Sequence, residues 1–185
     1  MNNINRGSGA GGANTNANGK PYEEKTDLHD QLTILEEIKK NSKKSHSLIY
    51  FNINTSEIFM KTEQSAFFRC MNHSADPDVH KAHGCKNPDE CYIHEKSKTI
   101  IIIEKKFQQT GGSVCEKIQT SDFKKWQYMR TFPDYNIIYI YCLSSWFKKN
   151  CIPELQYLEL RNVPVFWGDD IDYKTKMVDF ILSCI

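Results

Sequence analysis

An α/β fold with a mixed β-sheet flanked by helices is the class this sequence predicts, and three observations carry that expectation. Stretches with helical apolar spacing alternate along the chain with short β-branched runs, the order of a sheet covered by helices. Two of those runs, Ile100–Ile103 and Ile137–Leu143, have no polar face, so their strands belong where a sheet is buried on both sides. Hydrophobic residues make up 39% and charged residues 25% of 185 residues, a globular balance with room for one core.

The elements follow in order. Met1–Gly19 holds five of the nine glycines and six asparagines and little apolar surface. Residues 1–19 therefore read as a flexible arm and residues 20–185 as a single domain. Pro21 fits a first helical turn, and Leu28, Leu32 and Leu35 at i, i+4 and i+7 predict a helix from there to about Lys40. Ser47–Asn54 predicts a strand, Ile58–Met71 a second helix, and residues 72–87 a loop. Glu90–Glu95 and Thr99–Lys106, separated by Lys96-Ser97-Lys98, read as a β-hairpin. After Gly111-Gly112, Ser113-x-x-Glu116 is a capping box opening a helix to about Arg130, with Cys115, Ile118, Trp126 and Met129 on its inner face. Asn136–Cys142 is a further buried strand and Val163–Trp167 a short one. Asp172–Cys184 is a closing helix with Met177, Val178, Ile181 and Leu182 inward.

Several classes are set aside by the same residues. The longest uninterrupted apolar run is seven residues, where a bilayer span needs about 20. The first twenty residues lack the apolar segment of a secretory signal. Seven cysteines at irregular spacing then predict reduced thiols, a cytoplasmic location, no secretion and no membrane partner. No glycine-rich phosphate loop follows the first strand. The net charge of +1 conceals an asymmetry, because residues 95–130 carry eight Lys or Arg against four acids. A polyanion held over one face would suit that middle third.

The chemistry concentrates at Asp89 and at Glu104-Lys105-Lys106. Residues two apart on a strand share a face, so Glu104 and Lys106 point the same way. A hairpin loop centred between Lys96 and Ser97 sets Asp89 opposite Glu104, with Cβ atoms about 5 Å apart. Two carboxylates and an ammonium then project together from the exposed end of the sheet. Such oxygen ligands suit Mg²⁺, with Mn²⁺ as a substitute. A one-residue shift of the loop would undo the arrangement. Glu90 faces the other way and is not counted as a ligand.

Pro88-Asp89, followed after fourteen residues by Glu104-Lys105-Lys106, resembles the signature of the PD-(D/E)xK nucleases, over residues 21–142. The stretch GGANTNANG before Tyr22-Glu23 is similar to the start of some type II restriction endonucleases. The resemblance implies a restriction-endonuclease-like α-β-β-β-α-β core. It implies metal binding by Asp89, Glu104 and the main-chain carbonyl of Lys105, with Lys106 acting on the attacking water and Glu23 near the metal as the first-helix glutamate. The implied activity is Mg²⁺-dependent cleavage of a short palindrome in double-stranded DNA by a homodimer. Lys117, Lys124, Lys125 and the helix-opening Ser113 are candidate phosphate contacts. A repair or recombination nuclease of the same fold is one alternative. A non-catalytic, zinc-stabilised nucleic-acid-binding module is another, because Cys70, His73, His83 and Cys85, with His80, Cys91 and His94 nearby, are zinc-ligand types. The paired CxxC spacing is absent, so structural zinc is not expected. Trp126, Tyr128, Trp146 and Trp167 read as core.

Overall fold

The computed structural model describes residues 13–39, 47–52, 56–62, 64–74, 81–110 and 114–185. Its strands are β1 (Thr33–Lys39), β2 (Ser47–Asn52), β3 (Phe59–Thr62), β4 (Glu90–His94), β5 (Thr99–Lys106), β6 (Asn136–Leu143) and β7 (Val165–Trp167). They form one seven-stranded sheet in chain order. From β1 to β5 each neighbour is antiparallel, and β5–β6–β7 run parallel. The helices are α1 (Ala13–Lys25), α2 (Gln64–Ser74), α3 (Val114–Ile118), α4 (Ser121–Thr131), α5 (Phe147–Asn150), α6 (Ile152–Leu160) and α7 (Tyr173–Ser183). The fold is therefore α/β with a mixed sheet between helices. No described helix is long and apolar enough to cross a membrane.

Strand alternation sorts the core into two layers. Ile100 and Ile102 pack with Phe67, Ile118, Tyr128 and Leu158 from α2, α3, α4 and α6. Ile101 and Ile103 pack with Tyr22 of α1 and with Met177 and Ile181 of α7. All four isoleucines are at most 1% exposed, as a strand without a polar face requires. Gly168 lets α1 settle on the second layer, since a Cβ there would run into the Tyr22 hydroxyl.

Four stretches depart from the sequence reading. α1 stops at Lys25 instead of running to Lys40. Thr26 turns its hydroxyl back to the Tyr22 carbonyl at 2.7 Å, and Asp27 accepts the His29 N–H at 2.7 Å. The leucine spacing there is a coincidence of a buried Leu28, a half-buried Leu32 and an exposed Leu35 on strand β1. α1 also begins at Ala13, so residues 13–19 of the expected arm are helical, and residues 1–12 lie outside the described residues. The expected helix from Ile58 opens as strand β3, whose Phe59 and Lys61 face one layer and Met60 the other.

The helix expected over 113–130 is two helices. A tight turn at Gln119-Thr120, where Gln119 N–H reaches the Glu116 carbonyl at 3.3 Å and the Thr120 hydroxyl the Lys117 carbonyl at 3.0 Å, resets the helical phase. Trp126 and Met129 consequently face solvent, and Ser121, Gln127, Tyr128 and Thr131 are buried in their place. Trp126 lies under the Arg130 guanidinium at 4.8 Å, whereas Trp146 and Trp167 pack partly buried against the core. The expectation that every cysteine is reduced is corrected as well. Cys115 on α3 and Cys151, ahead of α6, form a disulfide with Cα atoms 5.6 Å apart, within the span such a bond bridges.

Candidate metal centre at the end of β4 and β5

The hairpin pairs Glu90 with Ile103 and His94 with Thr99, the register that a loop centred between Lys96 and Ser97 demands. Lys98 closes the turn at φ +50, so a lysine takes the left-handed conformation that glycine would adopt more easily. One step beyond Glu90, Asp89 reaches the end of β5. Its Oδ2 accepts the Lys105 backbone N–H at 2.8 Å, which holds the carboxylate beside the strand that carries Glu104 and Lys106. The same end of β5 is pinned from its other neighbour, because Ser144 N–H donates to the Lys106 carbonyl at 3.0 Å.

Asp89, Glu104 and Lys106 come together on the face of Ile100 and Ile102. Lys106 Nζ lies 2.6 Å from Glu104 Oε1, 2.9 Å from the Lys105 carbonyl oxygen and 3.4 Å from Asp89 Oδ2. Lys124, projecting from α4, reaches the same Glu104 Oε1 at 2.9 Å. The cluster is less open than an exposed strand end: the Glu104 side chain is 9% exposed and that of Lys106 21%. Burial is the largest influence on each group; it prevails at Asp89, and neighbouring charges outweigh it at Glu104 and Lys106. Burial raises the Asp89 pKa and Glu104 adds to the rise, against the opposing pull of Lys106. For Glu104 burial also pushes upward, but Lys106 and Lys124 outweigh it and hold the carboxyl below its ordinary value. Burial would lower the Lys106 pKa, and Glu104 and Asp89 reverse that, so Lys106 is an ammonium at neutral pH.

Three oxygens from three residues thus surround one cation, and they are the two carboxylates and the carbonyl that a hard divalent ion would take. The residues fit such an ion in donor type and in charge.

The opposite face of the same strand carries a second charge system. Glu90 is 1% exposed and meets Lys105 Nζ at 2.5 Å and Lys61 Nζ at 3.3 Å, while the Tyr92 hydroxyl donates to it. Lys61 continues to Asp27 at 2.6 Å. Burial would lower the Lys105 pKa, and Glu90 overrides it. Glu23 belongs to this side. α1 covers the layer of Ile101 and Ile103, and the Glu23 carbonyl accepts from Lys105 Nζ at 3.1 Å. The helix that carries Glu23 thus ends over the face of β5 opposite to Asp89, Glu104 and Lys106, in place of the position beside the two carboxylates that the resemblance implies for this helix.

Of the expected phosphate contacts, Lys124 is committed to Glu104, Lys117 is exposed and Lys125 is half-buried. Ser113 lies outside the described residues. Of the cysteines and histidines weighed as zinc ligands, those among the described residues do not form a group of three around one point. Cys85 is buried with its thiol toward the Lys86 carbonyl, Cys70 is half-buried on α2, and His83 is exposed. The side chains of His73 and His80 lie outside the described residues. His94 is buried between Ser97 Oγ at 2.8 Å and Glu57 at 3.2 Å. Among the described residues, the group of three Cys, His or acidic side chains whose ligand atoms lie within 4.8 Å of one another is Cys115, Cys151 and Glu154, and the two sulfurs there are already joined.

Sequence reasoning missed two things. Lys124 as a partner of Glu104 needed the break at Gln119-Thr120, which no glycine or proline announces. The Glu90–Lys105 pair had a readable signal, since two charged residues flanking one face of a buried hairpin require each other. No model of a known protein family matches the chain, and no curated protein or solved structure does either.

Proposed function

We propose that this chain is a Mg²⁺-dependent endonuclease hydrolysing phosphodiester bonds in double-stranded DNA, of the PD-(D/E)xK type and acting as a type II restriction enzyme. The observation that carries the reading is the convergence of Asp89, Glu104 and the Lys105 carbonyl on a single cation. The element order supports it in part: β3–β4–β5 are antiparallel neighbours, helices α3 and α4 follow, and β6 lies parallel to β5, while β1, β2 and the α2 insertion between β3 and β4 are additions to the core that the resemblance implies.

A phosphodiester is protected by its own negative charge, so cleavage needs charge neutralisation and a hydroxide source. Asp89, Glu104 and the Lys105 carbonyl would hold the ion, which when bound polarises a phosphoryl oxygen and lowers the pKa of its water. Lys106 brings a movable positive charge within reach of that water and of the developing negative charge. Lys124 keeps Glu104 ionised, and Lys117 and Lys125 lie along the same helices for flanking phosphates. A homodimer follows from the class, because a palindrome asks for two sites related by a two-fold axis.

Digestion of a plasmid of known sequence with Mg²⁺ tests the reading. Discrete fragments are the expected result. A smear assigns the same chemistry to a repair or recombination nuclease, and intact DNA overturns the proposal.

A further inference from the structure

The Lys106 ammonium and a divalent ion would compete for the same oxygens. An ammonium has three donors, and here three acceptors meet it at 2.6, 2.9 and 3.4 Å. An ion of the Mg²⁺ class needs its oxygens at about 2.0–2.1 Å. It would then sit almost where the nitrogen sits, and two positive charges cannot share that volume. Lys124 is arranged differently, since among these three oxygens it touches Glu104 alone and approaches from α4.

From this, and resting on the metal reading of the site, we infer that Lys106 is the resident counter-ion of the centre and that a divalent ion binds by displacing its ammonium. Without metal, the lysine lets two carboxylates stand together without mutual repulsion, so the ligand set is assembled beforehand. Metal arrival and release of Lys106 are then one event. The released ammonium hangs on a four-carbon stem at the last residue of β5, free to meet phosphate or water only once the ion is present. Lys124 stays on Glu104 throughout and is a positioning residue.

Two measurements on the full chain test this. Calorimetric titration with Mg²⁺ compares the wild type with Lys106→Met and Lys124→Met. If the ammonium fills the site about nine-tenths of the time, its removal tightens Mg²⁺ binding roughly tenfold, as for any competent state populated at one-tenth. Lys124→Met should give a smaller gain, because it removes a nearby charge and no occupant. Reductive methylation of the wild type, read by peptide mass spectrometry, should show Lys106 protected without Mg²⁺ and several-fold more reactive with it, while Lys124 is unchanged. Mg²⁺ bound by the wild type with Lys106 still protected overturns the displacement and leaves the metal reading standing, as does equal tightening in both variants. No Mg²⁺ binding by the wild type overturns both. Should Lys106→Met fail to fold, the methylation experiment decides alone.

Discussion

Glu104 receives two ammonium groups through one oxygen while only 9% of its side chain is exposed, and this sets the cost of removing it. Glu104→Ala and Asp89→Ala should abolish Mg²⁺-dependent cleavage, and Lys106→Ala should lower it by about 10²–10⁴. Cleavage retained by Glu104→Ala, measured on the same plasmid, would remove this carboxylate from the site. That variant should also destabilise the fold by about 1–3 kcal/mol in urea unfolding, since it strands two cations. The neighbouring face behaves differently. Glu90 and Asp27 together balance Lys61 and Lys105, with Glu90 as the buried partner of both, so Glu90→Gln should cost about 3–5 kcal/mol by the same measurement. A loss under about 1 kcal/mol would mean that water reaches the pair.

The elements around the site divide cleanly by how they were encoded. The hairpin was legible to within a residue, Glu90–Glu95 being expected and Glu90–His94 found, and its register came from centring the loop between Lys96 and Ser97, since four isoleucines in a row suit either face. α4 was not, because the break before it uses Gln119 and Thr120, ordinary helical residues, and the phase that follows inverts the expected face. α1 misled in the same way: its apolar spacing continues beyond the point where Thr26 and Asp27 turn the chain. The inverted face of α4 makes a direct test. Tyr128→Ala should cost about 3–5 kcal/mol as a buried aromatic truncation, whereas Trp126→Ala should stay within about 1 kcal/mol. The reverse order in thermal unfolding would restore the continuous helix. Asp27, which joins α1 to β3 through Lys61, adds a pH dependence. Burial would raise its pKa, but the Lys61 charge prevails and holds it below the ordinary value. The folded state then binds fewer protons, so this contribution is present above the ordinary carboxylate pKa and lost as pH falls through the depressed one. Tm should therefore drop below about pH 4, and Asp27→Asn should flatten the drop.

At the scale of the whole molecule, the basic middle third runs through the hairpin turn, β5, α3 and α4, and the charge cluster lies at the end of β5 against α4. Binding to duplex DNA should weaken with salt, by roughly 0.9 in log–log slope for each phosphate neutralised. Lys117→Ala with Lys125→Ala should lower that slope by about two without touching Mg²⁺ affinity. An unchanged slope in filter binding would move the DNA to another surface. The sheet itself has a consequence for how the protein comes into being. Its strands stand side by side in the order in which a ribosome makes them, so each new strand docks on one already laid down. Such neighbour-to-neighbour pairing keeps contacts close in sequence and favours rapid, vectorial folding from the N-terminus. Asp89 and Glu104 would thus stand side by side on the nascent chain before Lys124 has been synthesised, with Lys106, two residues after Glu104, as the first cation to reach them.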